Sequence, residues 1–183
     1  MLLPMAKKKL LPYRISLAGT LLRAREAVMA PIRPILREAN VTEQQWRVLR
    51  VLDDSGPVDL TSLAELALLH PPSVTRILRE LGERGLLIRA ADVSDARRSF
   101  VTISRAGRNL VARTANETGK LLEKYEERFG SERLNALRRE LVELTNDLKD
   151  AQQLSDDAQP AAQLPEPEDG ITGGLSNLHH AIP

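Results

Sequence analysis

The 183-residue chain contains no cysteine, which excludes disulfides, thiolate metal sites and any cysteine redox switch. Histidine is scarce: His70 stands alone and His179 and His180 lie far downstream, so a structural zinc site built from the three is not expected. No apolar run approaches the ~18 residues that cross a bilayer. Residues 1–11 carry a Lys7-Lys8-Lys9 cluster, but no apolar core follows it as in a signal peptide. A glycine-rich phosphate loop, a Gly-x-Ser-x-Gly elbow and a His-Glu-x-x-His helix are all missing. Asp53-Asp54 and Glu126-Glu127 are adjacent carboxylates, but neighbours on a helix point apart. The expectation is a cytoplasmic, non-enzymatic protein with no cofactor, no metal and no membrane partner.

Net charge is nearly absent too, at +1, but its distribution is uneven. Residues 1–50 carry a net +7 and residues 70–108 a net +4, whereas residues 51–69 carry −4 and residues 151–183 carry −5. Overall neutrality therefore hides two basic segments, either of which suits a polyanion or a solvated face.

Punctuation divides the chain into five stretches. Residues 1–11 read as a flexible basic arm. Residues 12–40 carry Leu17, Leu21, Val28, Ile32, Ile35 and Leu36 near helical spacing, with Pro31 and Pro34 predicting a break near Ala30. Residues 41–104 form a compact head, residues 105–150 two long helices, and residues 151–183 a disordered acidic tail rich in Pro, Gly, Asp and Gln. In the last helix Leu134, Leu137, Leu141, Leu144 and Leu148 alternate steps of three and four, an a/d seam. So small a head does not cover both long helices and the N-terminal one, so Leu17, Leu21 and the seam are assigned to a homodimer interface. The alternative is a helix packing on its own domain.

Within the head, Thr42 and Gln45 form a capping box ahead of Trp46, Leu49 and Leu52. Asp59 is an N-cap for a short helix that packs Leu63, Leu66 and Ala67. Pro71 opens a third helix whose buried face is Val74, Ile77, Leu78 and Leu81, and which stops at Gly82 or Gly85. Residues 86–88 and 100–103 are β-prone and are separated by about ten polar and small residues. Ser104 caps the helix that follows. The order predicts a mainly α fold with a small β-hairpin wing, a winged helix-turn-helix head on a helical dimerisation body.

In such a head the third helix enters the major groove of double-stranded DNA. Its exposed N-terminal residues Pro72, Ser73, Thr75, Arg76 and Arg79 are the candidate contacts. For Arg76 the competing reading is an ion pair with Glu80 one turn on. Arg97 and Arg98 at the hairpin tip suit a narrow minor groove, with Asp95 orienting Arg97; the competing reading is a solvated tip.

These residues resemble the MarR family of winged-helix regulators over roughly residues 14–150. Asp95-Ala96-Arg97 followed by Val101-Thr102-Ile103-Ser104 and Gly107 is similar to the family's wing motif, with Ile-Ser in place of Leu-Thr. Thr42-Glu43-Gln44-Gln45-Trp46-Arg47, Arg33-Pro34-Ile35-Leu36 and Pro72-Ser73-Val74-Thr75-Arg76 make the resemblance closer to regulators of homoprotocatechuate (4-hydroxyphenylacetate) degradation operons. The resemblance implies a homodimer reading a pseudo-palindromic operator, and a repressor released by a small aromatic carboxylate. It also implies that the operator controls genes for aromatic-acid breakdown. An aromatic acid needs an arginine for its carboxylate and an apolar wall for its ring. Arg14, Ser16, Arg23 and Arg25 on the N-terminal helix, with Trp46 and His70 in the head, are the candidates. Arg23 and Arg25 do not face the same way. Trp46 also reads as a core residue, and His70 as a turn residue at the cap of the reading helix. Two other functions stay open: a DNA-binding regulator without an effector, and a helical dimer acting as a protein-interaction scaffold.

Overall fold

In the computed structural model, residues 10–91 and 99–157 are described. Asp95, Arg97 and Arg98, most of the basic arm and residues 158–183 lie outside them. A short 3-10 turn, Tyr13–Ile15, precedes helix α1 (Leu17–Met29). Helices α2 (Ile32–Glu38) and α3 (Glu43–Ser55) follow, then strand β1 (Val58–Asp59) and helices α4 (Leu60–Ala67) and α5 (Pro71–Glu83). Strands β2 (Leu87–Ala91) and β3 (Ser99–Ile103) lead into helices α6 (Arg105–Phe129) and α7 (Ser131–Asp157). Contacts divide the chain between Ser131 and Glu132.

The expected break near Ala30 is present: α1 ends at Met29, and α2 restarts to bury Ile32 and Leu36. Thr42 and Gln45 close a full capping box on α3, with Gln45 N–H donating to Thr42 Oγ1 at 3.1 Å and Thr42 N–H to Gln45 Oε1 at 3.0 Å. Helix α3 is the hub of the first unit and packs against α2, α4, α5, α6 and β3. Its Val48, Leu49 and Leu52 meet Leu63 and Ala67 of α4, the predicted Val74, Ile77, Leu78 and Leu81 of α5, and Leu110 and Val111 of α6 in one core. The three strands form an antiparallel sheet in the order β1-β3-β2, with Val58 opposite Val101 and Leu87 opposite Ile103.

Four details depart from the sequence reading. The sheet has a third strand, β1. Leu66 is exposed rather than packed, because the buried stripe of α4 runs through Leu63, Ala64 and Ala67 and Leu66 is turned about 100° from its middle. Trp46 is half-buried, packed against the core rather than inside it. Helix α7 continues past residue 150 to Asp157, so the start of the segment read as disordered tail is helical. The dimerisation candidates Leu17, Leu21, Leu137, Leu141 and Leu148 are exposed within their own units, and Leu134 and Leu144 are half-buried.

Candidate nucleic-acid interface and ligand cavity

Helix α5 begins with Pro71 at its first position and His70 as N-cap. Burial of Val74, Ile77, Leu78 and Leu81 turns Pro72, Thr75, Arg76 and Arg79 to the outside, with Ser73 half-buried beside them. The Thr75 hydroxyl donates to the Pro71 carbonyl at 3.1 Å, so it is held against the helix start. Arg76 makes the ion pair weighed as its alternative, at 2.9 Å to Glu80. Glu80 in turn accepts from Gln45 Nε2 at 2.8 Å, tying α5 to α3. The Arg76 side chain remains 56% exposed, and an exposed pair of this kind is worth at most about 1 kcal/mol, small enough for a phosphate or base to exchange with it.

A groove of about 590 Å³ runs between α5 and β2. Pro72, Thr75, Arg76, Arg79 and Arg89 are on its wall. Arg89 was not among the sequence candidates. Its signal was period-two alternation: Leu87 is buried against α5, and Arg89, two residues on, shares that side. Three arginines from two elements thus border one groove that runs along α5 from Pro72 to Glu83, with the acidic Glu83 also on its wall. Asp95, Arg97 and Arg98 belong to the stretch outside the described residues.

A second concavity, of about 230 Å³, lies between α1, α3 and the turn after α4. It is lined by Arg25 and Met29 from α1, Glu43, Trp46 and Arg47 from α3, and Leu68. Two of the six sequence candidates for an aromatic-acid site, Arg25 and Trp46, therefore come together here. The other four do not reach it. Arg14 is exposed on the 3-10 turn. Ser16 is spent as the N-cap of α1, accepting from Gly19 N–H and donating to the Tyr13 carbonyl. Arg23, two residues from Arg25, is turned to another side of α1. His70 is exposed at the α5 cap. Trp46 serves both readings: its indole N–H donates to Thr114 Oγ1 at 3.1 Å, anchoring it to α6, while the ring walls the cavity. The Arg50 guanidinium sits 5.7 Å from the ring centroid, an aromatic–cation contact.

The cavity rim is strongly ionic. Glu43 pairs with Arg25, with Arg33 from α2 at 3.4 Å and with Arg47 one turn on at 3.4 Å. Arg33 also forks onto Glu26, with one of its two hydrogen bonds at 2.8 Å. That fork holds the Glu26 carboxyl below its ordinary range, with the charge of Arg25 adding to it, and raises the Arg33 guanidinium. Sequence spacing flagged none of Glu43, Arg33 or Arg47 for this cavity: Glu43 and Arg47 share α3, but the cluster forms only when Arg25 of α1 and Arg33 of α2 fold against them.

The MarR family model matches residues 41–99, the span from the start of α3 into the hairpin. The HTH-type transcriptional regulator FarR of Neisseria gonorrhoeae is 38% identical over 124 residues, covering 68% of this chain and 85% of that protein. The homoprotocatechuate degradative operon repressor of Escherichia coli is 35% identical over 122 residues, covering 67% and 82% respectively. Among solved structures, NadR in complex with 4-hydroxyphenylacetate is 36% identical with a TM-score of 0.66, covering 78% of this chain and 97% of that one.

Proposed function

This chain belongs to the MarR family of winged-helix transcriptional regulators, and on that premise we propose that it is a homodimeric repressor released from its operator by a small aromatic carboxylate. Its family and relatives are transcriptional regulators, not enzymes. Among the described residues no helix is long and apolar enough to cross a membrane.

One observation carries the proposal: a single folded unit has an arginine-bordered α5–β2 groove at one place and an arginine- and tryptophan-lined cavity at another, joined through α3 and α4. The first suits DNA phosphates and base edges, contacted by Pro72, Ser73, Thr75, Arg76, Arg79 and Arg89; the expected contacts of Arg97 and Arg98, with Asp95, fall on residues outside the described ones. The second suits a one-ring acid. Its volume is below the ~300–1,000 Å³ of drug-sized sites, Met29, Trp46 and Leu68 supply an apolar wall, and Arg25 and Arg47 supply charge. The relative that represses a homoprotocatechuate operon and the neighbour solved with 4-hydroxyphenylacetate support an effector of this class and control of aromatic-acid catabolism. Exposed Leu17, Leu21, Leu137, Leu141 and Leu148 support the dimer, with Leu134 and Leu144 on the same seam.

The test is a fluorescence-anisotropy titration onto DNA from upstream of the protein's own gene, with and without 4-hydroxyphenylacetate, homoprotocatechuate and benzoate. Expected are sequence-specific binding, an affinity loss on the order of a thousandfold between 50 and 200 mM salt, and release by at least one acid. Binding indifferent to every acid would leave an effector-independent regulator. Absence of specific binding would favour the scaffold.

A further inference from the structure

The cavity already holds a carboxylate of its own. Glu43 is the first residue of α3, and its side chain points to the rim where Arg25, Arg33 and Arg47 converge. Among the described residues, Arg25 and Arg47 are the cationic residues in the cavity lining, and both are engaged by Glu43. A carboxylate that enters therefore competes with Glu43 for these arginines. Arg33, outside the lining, stays with Glu26 through its two-pronged contact. Among the described residues, three guanidiniums here face two carboxylates, Glu26 and Glu43, an excess of one positive charge. One added monoanion neutralises that excess.

Arg47 connects this exchange to the reading helix. While one of its nitrogens meets Glu43, another donates to the Ala67 carbonyl at 3.1 Å. Ala67 is the last residue of α4, and Leu68 after it is held in the left-handed region at φ 51°. Only Leu68, Leu69 and His70 separate that point from α5. Leu68 is 78% exposed and lines the cavity, so the turn that sets where α5 begins is part of the cavity wall.

We propose that Glu43 is the built-in occupant of the anion site. Without an effector it holds Arg25 and Arg47, and through Arg47 it holds the α4–α5 turn in its DNA-competent position. An aromatic monocarboxylate displaces it from those arginines, and the loosened Arg47–Ala67 contact shifts the start of α5. The inference rests on the cavity being the effector site, and deepens that reading by naming the residue with which the effector competes. The charge balance favours monocarboxylates over dianions and over neutral aromatics.

The test compares the full-length protein with Glu43→Gln, reading ligand binding through Trp46, the chain's single tryptophan. The probes are 4-hydroxyphenylacetate, homoprotocatechuate and benzoate, with 4-hydroxyphenylacetamide as neutral isostere. Glu43→Gln is expected to bind an acid roughly fivefold or more tighter, with affinity for the amide unchanged, and to bind DNA correspondingly more weakly without any acid, since the coupling is reciprocal. Glu43→Asp, which keeps the charge at the helix start but shortens its reach, is expected to fall between; it also serves if the glutamine variant loses its circular-dichroism signature. Equal acid affinity in wild type and variant, or an equal gain for the amide, overturns the role of Glu43 while leaving the effector site standing. An acid bound by the variant and not by the wild type supports it. No acid bound by either protein overturns the cavity reading and this inference together.

Discussion

Gly107 sits where no side chain fits. A Cβ there would stand 2.2 Å from the Leu86 carbonyl oxygen and 2.6 Å from Ile103 Cγ1. The approach is enforced by Ser104, whose N–H donates to Leu86 O at 3.1 Å and whose hydroxyl donates to Gly85 O at 2.7 Å while accepting from Gly107 N–H at 3.0 Å. The start of α6 is thereby clamped onto the end of the α5–β2 turn. Gly107→Ala is expected to destabilise the fold by about 1–3 kcal/mol, since backbone rather than a flexible side chain must move. Urea unfolding monitored by circular dichroism measures it; an unchanged midpoint would refute the clamp. In the sequence Gly107 was visible only as part of a motif resemblance. Its physical reason lies in Leu86, which is distant along the chain and adjacent only after folding. Arg76 shows the reverse case, because its partner Glu80 is one helical turn away and the pair was legible from spacing alone.

Elements were legible where their ends carry local chemistry. Thr42, Asp59, Pro71 and Ser104 each mark a helix start, and each acts through bonds or a ring within three residues of itself. Strand β1 was missed because two residues carry no alternation; only pairing with Val101 and Phe100 makes Val58 and Asp59 a strand. Asp59 has a further consequence. Its carboxylate accepts from the Ser62 hydroxyl at 2.7 Å, from Ser62 N–H at 3.0 Å and from Thr61 N–H at 2.9 Å. The Ser62 hydroxyl foremost, then the Ser62 amide, hold its carboxyl below the ordinary value. The folded pKa is thus lower than the unfolded one. The stabilisation is therefore fully present above the unfolded value, near pH 4, and is lost as pH falls through the lowered folded value. Glu26, lowered by Arg33, acts in the same direction. Melting temperature is expected to fall on acidification from pH 5 to 3, less steeply in Asp59→Asn. Parallel curves for the two proteins would remove Asp59 from that account.

For the molecule as a whole, the proposed dimer is the feature on which function turns. Leu17 and Leu21 on α1 are 57% and 38% exposed, and Leu137, Leu141 and Leu148 on α7 are 44%, 36% and 56% exposed. Apolar residues recurring on one helical stripe suit a second copy of the chain, and two heads are what a pseudo-palindromic operator requires. Leu141→Asp is expected to yield monomers in light scattering and to weaken operator binding, because each monomer then holds only a half-site. A variant that remains dimeric would show that the seam is not the interface.

The amino-acid order by itself determined the helices of the head, the starts marked by Thr42, Asp59, Pro71 and Ser104, the buried face of α5 and the winged-helix plan; the capping role of Ser16 on α1 was not among them. These depend on periodicity and on bonds spanning three or four residues, and such information is written locally. Tertiary structure alone decided that Arg25 rather than Arg23 reaches the cavity beside Trp46. It also decided that Arg89 joins Arg76 and Arg79 at one groove, and that Glu43 pairs with Arg25 and Arg47 at the cavity rim. Those juxtapositions bring together α1, α3 and the turn after α4 at the cavity, and α5 and β2 at the groove. Spacing placed Arg89 only on the Leu87 side of β2; which helix that side meets is decided when separate apolar faces share one core.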